Sequence, residues 1–211
     1  MADVLERLHE EADAQWPEVR ERVDSLDHEA SGPEAWPHRL KDLYLPVSRE
    51  QGRFLYQTVR AVRALTVVEF GSSYGVSTIY LAAGLRDNGD GVVVSSELVE
   101  EKAETARRNL VAVGLDHYVD IRSGDARQTL SEPGGPVDVV LLDGGPALYL
   151  EILELLIPSL RVGAVVIADN IAGADAEPHS YARWIQDPAN GFVSNSIALK
   201  GGTEYSIWVG A

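Results

Sequence analysis

The chain has 211 residues, with 33 acidic against 18 basic side chains, a net charge of -15 and no cysteine. That charge repels nucleic-acid backbones and anionic lipid, and the missing cysteines exclude disulfides and thiolate chemistry. The start, MADVLERLHEEADAQ, has no apolar leader and no apolar run reaches membrane-span length, so the expectation is one cytoplasmic domain over 1–211 without membrane or nucleic-acid partners.

Residues 3–26 carry an apolar seam of Leu5, Leu8, Ala12, Trp16, Val19, Val23 and Leu26 at helical spacing,. Pro17 predicts a break there, with a second helix starting at the proline. The seam faces either the chain's own core or a second copy in a homodimer. A loop over 27–37 and a short apolar element over 40–45 complete an N-terminal helical extension, 1–45. The core, 46–211, opens with Ser48 capping a helix to about 64. Strands and helices then alternate: strand 66–70, helix 76–85, strand 91–96, helix 100–113, strand 118–123, helix 126–130, strand 137–142, helix 147–156, strand 164–168, helix 181–185. This order specifies an α/β fold with a mostly parallel sheet. Strands 192–199 and 204–209, joined by Lys200-Gly201-Gly202, predict an antiparallel C-terminal hairpin at the sheet edge,.

The chain is organised around VVEFGSSYGVSTIYL, 67–81: strand, glycine turn, helix. Glycine lets a ligand approach the backbone, and the helix start behind it offers unpaired N–H groups. The spacing Gly71-x-x-x-Gly75 is not the G-x-G-x-x-G of a dinucleotide cradle,. Ligands of such sheets bind beyond the carboxyl ends of the strands, which places Glu69, Gly71, Glu97, Asp125, Asp143, Asp169 and Asn170 on one rim. Glu97 suits the two hydroxyls of a ribose, or else simply caps the next helix. Asp125 and Ala126 would lie beside the base, with a helix N-cap as the equally good alternative for Asp125. Asp143, Asp169 and Asn170 are hard oxygen donors suited to Mg²⁺ or Ca²⁺, or else turn residues.

Five stretches together resemble the class I S-adenosylmethionine-dependent methyltransferases, specifically the cation-dependent O-methyltransferases related to catechol O-methyltransferase. They are LPVSREQGRFLY, VVEFGSSYGVSTIYLA, SSELVEEKAETARRNL, VDVVLLDGG with LRVGAVVIADNI, and GGTEYSIW, spread from about Leu40 to the C-terminus. The resemblance implies a Rossmann-like methyltransferase sandwich. It also implies that Val47, Glu69, Gly71, Ser73 and Ser77 contact the methionine side of S-adenosylmethionine, that Glu97 holds the ribose and that Asp125 and Ala126 border the adenine. Asp143, Asp169 and Asn170 would bind Mg²⁺, Asp143 also touching the cofactor and taking part in catalysis, and Glu204 would orient a phenol- or catechol-like acceptor.

Relatives commonly carry a lysine three residues after the first metal aspartate; here Gly144-Gly145-Pro146 follows Asp143. The three lysines are Lys41, Lys102 and Lys200. Lys102 is expected away from the acceptor; Lys41, Lys200, His179 and Tyr181 are the other proton-acceptor candidates. Three rivals stand beside this reading: a methyltransferase for nitrogen or carboxylate acceptors without metal, a cofactor-binding protein without catalysis, which the missing lysine keeps open, and a nicotinamide-dependent oxidoreductase, which the glycine spacing disfavours.

Overall fold

The computed structural model describes residues 1–24, 40–171, 180–199 and 201–210. The elements in chain order are α1 (Ala2–Asp24), α2 (Arg49–Ala61), β1 (Thr66–Phe70), α3 (Val76–Asn88), β2 (Val92–Glu97), α4 (Glu100–Val113), β3 (Val119–Ser123), α5 (Ala126–Thr129), β4 (Val137–Leu142), α6 (Tyr149–Leu156), β5 (Leu160–Ala168), α7 (Ser180–Ile185), β6 (Phe192–Ile197) and β7 (Thr203–Trp208). Among the described residues the strands form one seven-stranded sheet, ordered β3-β2-β1-β4-β5-β7-β6. All neighbours from β3 to β5 pair in parallel, and β7 pairs antiparallel with both β5 and β6.

The parallel strands are buried on both faces, so they read as nearly continuous Val/Leu/Ile runs. Alternate residues enter two cores. Val67, Val93, Leu141 and Ile167 pack with α2, α3 and α4 on one face. Val68, Val94, Val140 and Val166 pack with α6 and α7 on the other. The alternating elements, the mostly parallel sheet and the antiparallel hairpin all stand as the sequence predicts.

Three features differ. The break at Pro17 is absent, for α1 runs unbroken with Pro17 inside it. A proline inside a helix costs about 3 kcal/mol, but burial on both sides of it offsets that. Leu5 and Leu8 join the core with α2, and Val19 packs on Leu40 and Leu43. The seam therefore covers the chain's own core, leaving Trp16 half exposed; Leu26 and the loop over 27–37 lie outside the described residues. The element expected over 40–45 is a turn, not a regular element. β5 begins at Leu160, four residues earlier than expected, because Leu160 already pairs with Val137 across a register shift. No helix among the described residues is long and apolar enough to cross a membrane.

Candidate functional site

The strand order reverses at β1, between β2 and β4, the switch point at which open α/β sheets bind ligands. Backbone bonds carry the sheet past its strand ends there. The Gly71 and Ser72 N–H groups donate to Ser96 O, Asp143 N–H to Phe70 O, Asp169 N–H to Leu142 O and Gly124 N–H to Glu97 O. The loops after five strands are thus fixed on one rim.

Gly71 has φ +97°, and a Cβ there would lie 2.8–2.9 Å from backbone atoms of Asp143 and Gly144. Its missing side chain lets the β1 and β4 loops touch. Gly75 starts α3 in the left-handed region without a side-chain cap, leaving the first N–H groups of that helix unpaired by side chains. Between them Ser73 has φ +47°, a strained value for a residue with a Cβ. Its N–H donates to Glu97 Oε2 at 2.7 Å, and Val99 N–H donates to Oε1 at 2.9 Å. A carboxylate accepts about four hydrogen bonds, so Glu97 shapes the turn and keeps acceptor capacity for ligand hydroxyls. The buried hydroxyls of Ser72 and Ser73 have no hydrogen-bond partner among the described residues, an arrangement that fits a polar ligand in this turn.

Glu69 is placed differently from the other rim carboxylates. It is fully buried, and its oxygens accept hydroxyls from Ser77, Thr78 and Ser95 at 2.5–2.6 Å. Glu69 and Ser77 therefore bond each other and brace the glycine turn from beneath. Burial pushes the Glu69 carboxyl above its ordinary range, against the lowering by its three hydroxyl donors, and the Glu97 charge adds to the rise. A carboxyl with a raised folded pKa binds its proton more readily in the folded state. The wild type should thus gain stability as pH falls from that raised value toward the ordinary 4.5,. Glu69→Gln abolishes this titration. The stability difference between the two proteins, from urea midpoints at several pH values, is expected to move in favour of the wild type on acidification; a difference independent of pH contradicts the assignment.

Asp125 caps α5, accepting Arg127 N–H at 2.9 Å, and pairs with the Arg127 guanidinium, which holds its carboxyl below the usual range. Ala126, next to it, is buried. Lys102 is buried on α4; its ammonium donates to Leu40 O at 3.0 Å and lies 5.3 Å from the Tyr74 ring centre. Its partners are thus the segment before α2 and the glycine turn, not the β4–β5 rim. Burial holds it below the ordinary lysine range, against the opposing Glu97 and Asp42 charges.

Asp143, Asp169 and Asn170 follow the paired strands β4 and β5. Asn170 Nδ2 lies 3.4 Å from Asp143 Oδ1, and Asn170 takes φ +56°, which Asn tolerates best after glycine. No group of three or more His, Cys, Asp or Glu able to hold a metal occurs among the described residues. Two carboxylates and an amide are hard donors of the kind Mg²⁺ takes, with the Asn170 amide turned over from its present orientation, in which Nδ2 meets Asp143 and Oδ1 lies toward Gly201.

Three residues that sequence reasoning missed hold this rim. Gln51 Nε2 donates to Asp169 Oδ1 at 2.6 Å, and Thr203 Oγ1 donates to the same oxygen at 3.1 Å. The buried Tyr149 hydroxyl lies 3.0 Å from Asp169 O and 3.3 Å from Gly144 O, linking the loops after β4 and β5. Val47, Gln51, Phe54, Leu199 and Thr203 line a largely apolar cavity beside Asp169.

Glu204 is a correction. It pairs with Ala168, whose side chain enters the α6–α7 core. Its fully buried carboxylate accepts from Gln186, Ser194 and Ser196. It therefore lies on the face opposite Asp169 and does not reach an acceptor there. Tyr181 is also buried, in the α6–α7 core, where burial and then Glu204 push its hydroxyl above the usual range. His179 and Lys200 lie outside the described residues.

A methyltransferase-domain family model matches residues 68–171. A catechol O-methyltransferase of Mycobacterium tuberculosis is 37% identical over 128 residues, covering 60% of this chain and 57% of the relative. Another, of Niastella koreensis, is 30% identical over 155 residues, 70% of this chain and 69% of the relative. The chain thus spans between half and seven-tenths of the length of these relatives. Among solved structures, the O-methyltransferase TomG of Streptomyces achromogenes, in complex with S-adenosylmethionine, superposes with a TM-score of 0.71 at 30% identity, over 88% of this chain and 92% of that one. These likenesses join the switch-point loop, Glu97 and the oxygen-rich rim in one assignment: the chain belongs to the class I S-adenosylmethionine-dependent O-methyltransferases, in the family related to catechol O-methyltransferase.

Proposed function

We propose that this chain transfers the methyl group of S-adenosylmethionine to a hydroxyl oxygen of a small phenol or catechol, assisted by a divalent cation at Asp143, Asp169 and Asn170. The observation that carries this reading is the convergence of the glycine turn, Glu97 and those oxygen donors on one rim. Glu97 accepts the ribose hydroxyls, the Ser73 region and the uncapped start of α3 meet the methionine side, and Val47 closes the apolar wall. S-adenosylmethionine supplies an electrophilic methyl: an O–C bond forms, the S–C bond breaks, and S-adenosylhomocysteine leaves. A cation on the rim would supply Lewis acidity that lowers the hydroxyl pKa. The protein then holds the hydroxyl in line with the methyl, and positioning of this kind supplies much of the rate.

Pro146 has no titratable group and begins the turn Pro146–Leu148. With no base at this position, the reading is that the cation alone acidifies the hydroxyl and that acceptors which are already acidic react best. A metal-independent transfer to nitrogen or carboxylate is the second reading, favoured by the two donors already on Asp169 Oδ1. Rates against acceptor pKa, with Mg²⁺ and with chelator, separate the two. The proposal expects rates to fall steeply as acceptor pKa rises, to collapse in chelator, and to flatten in Pro146→Lys, since a positioned base contributes roughly 10²–10⁴-fold. Full turnover in chelator, retained in Asp169→Ala, overturns the cation reading.

A further inference from the structure

One side chain joins the start of α2 to the end of β5. Gln51 Oε1 accepts the Ser48 N–H at 2.8 Å, while Gln51 Nε2 donates to Asp169 Oδ1 at 2.6 Å. Ser48 Oγ in turn accepts the Gln51 N–H, which closes a capping box,. The amide can face only one way, because turning it over would set its oxygen against the carboxylate and its NH₂ against an N–H. Gln51 is 4% exposed, so water does not replace either bond cheaply. Val47, beside the cap, is 3% exposed and shares the cavity wall with Gln51. Thr203 reaches the same Asp169 oxygen from β7, with no hydrogen bond to α2 among the described residues.

We propose that Gln51 is a positioning residue that couples the two halves of the site, so that a cation at Asp169 and the cofactor beside Val47 and Ser73 raise each other's affinity. This rests on the cation reading above. A ligand that fixes the position of Asp169 also fixes the Gln51 amide bonded to it and, through the capping box, the start of α2 beside Val47, so the second ligand meets a segment already in place,. Such coupling is reciprocal in the binding constants.

The test is calorimetric titration of S-adenosylhomocysteine into the full chain, in chelator and in saturating Mg²⁺, with Mg²⁺ binding measured in the same instrument. In the wild type Mg²⁺ is expected to raise the affinity at least about fivefold, and the nucleoside to raise Mg²⁺ affinity by the same factor. Gln51→Met should still bind Mg²⁺ but show no gain, whereas Thr203→Val should keep it. A wild type without the gain, a Gln51→Met protein that retains it, or a Thr203→Val protein that loses it as completely overturns the coupling. If Mg²⁺ does not bind the wild type at all, the cation reading fails and takes this inference with it. Should Gln51→Met not fold, hydrogen exchange on the wild type decides: Mg²⁺ alone is expected to slow exchange of the Ser48 amide, and unchanged protection overturns the proposal.

Discussion

Gly71→Ala is expected to lower the stability of the fold by roughly 2–5 kcal/mol. Two costs add. At φ +97° an L side chain is strained by about 1–2 kcal/mol, and forcing a methyl into a packed site adds about 1–3 kcal/mol. The second cost is not relieved by rotamer changes, because the atoms 2.8–2.9 Å from the new Cβ are the Asp143 carbonyl and the Gly144 Cα. The β4 loop must move, and it carries Asp143. Gly114→Ala is the control. Gly114 also has positive φ, +68°, but its Cβ would meet nothing within 4 Å, so only the strain remains. Urea midpoints of the two variants separate close approach from dihedral strain; equal losses would show that the β1–β4 contact is not what requires Gly71.

Glu97→Ala is expected to weaken S-adenosylhomocysteine binding by about 1.5–3 kcal/mol, or roughly 10–150-fold, the range for hydrogen bonds to a charged group. The loss has two sources. The ribose hydroxyls lose their acceptor, and the Ser73 N–H at 2.7 Å and Val99 N–H at 2.9 Å lose theirs. The glycine turn then loses the bond that holds Ser73 at positive φ. Glu97→Gln keeps one oxygen acceptor and should fall between wild type and Glu97→Ala. Titration calorimetry reads both, and wild-type affinity in Glu97→Ala removes Glu97 from the ribose site.

Local chemistry made much of this legible. The bounds expected for β1, β4 and α4 coincide with those observed, because each is a continuous apolar run or a clean helical repeat between strong turn residues. The glycine turn, the Ser48 cap and the β4–β5 rim followed from the same local signals. What remained hidden depends on register or on distant contacts. Glu204 was expected to start its strand and face the acceptor, whereas β7 starts at Thr203. Side chains alternate along a strand, so it is Thr203 that shares the face of Asp169 while Glu204 turns to the opposite core. Gln51 reads locally as a capping-box residue, and nothing local shows that its other end meets Asp169, 118 positions later. Tyr149 looks like one more apolar residue of α6 until the loop after β5 closes over its hydroxyl. Pro17 was overruled for the same reason, since the burial that carries α1 through it comes from elements later in the chain.

The central claim is that this rim moves a methyl group from S-adenosylmethionine to oxygen. The most direct measurement incubates the wild-type chain with methyl-labelled S-adenosylmethionine, Mg²⁺ and a panel of catechols, amines and carboxylic acids, and identifies the products by mass spectrometry. The label is expected on a catechol oxygen, with one S-adenosylhomocysteine formed per methyl transferred. Label found only on nitrogen or carboxylate products, or no turnover with any acceptor despite tight S-adenosylhomocysteine binding, would contradict it.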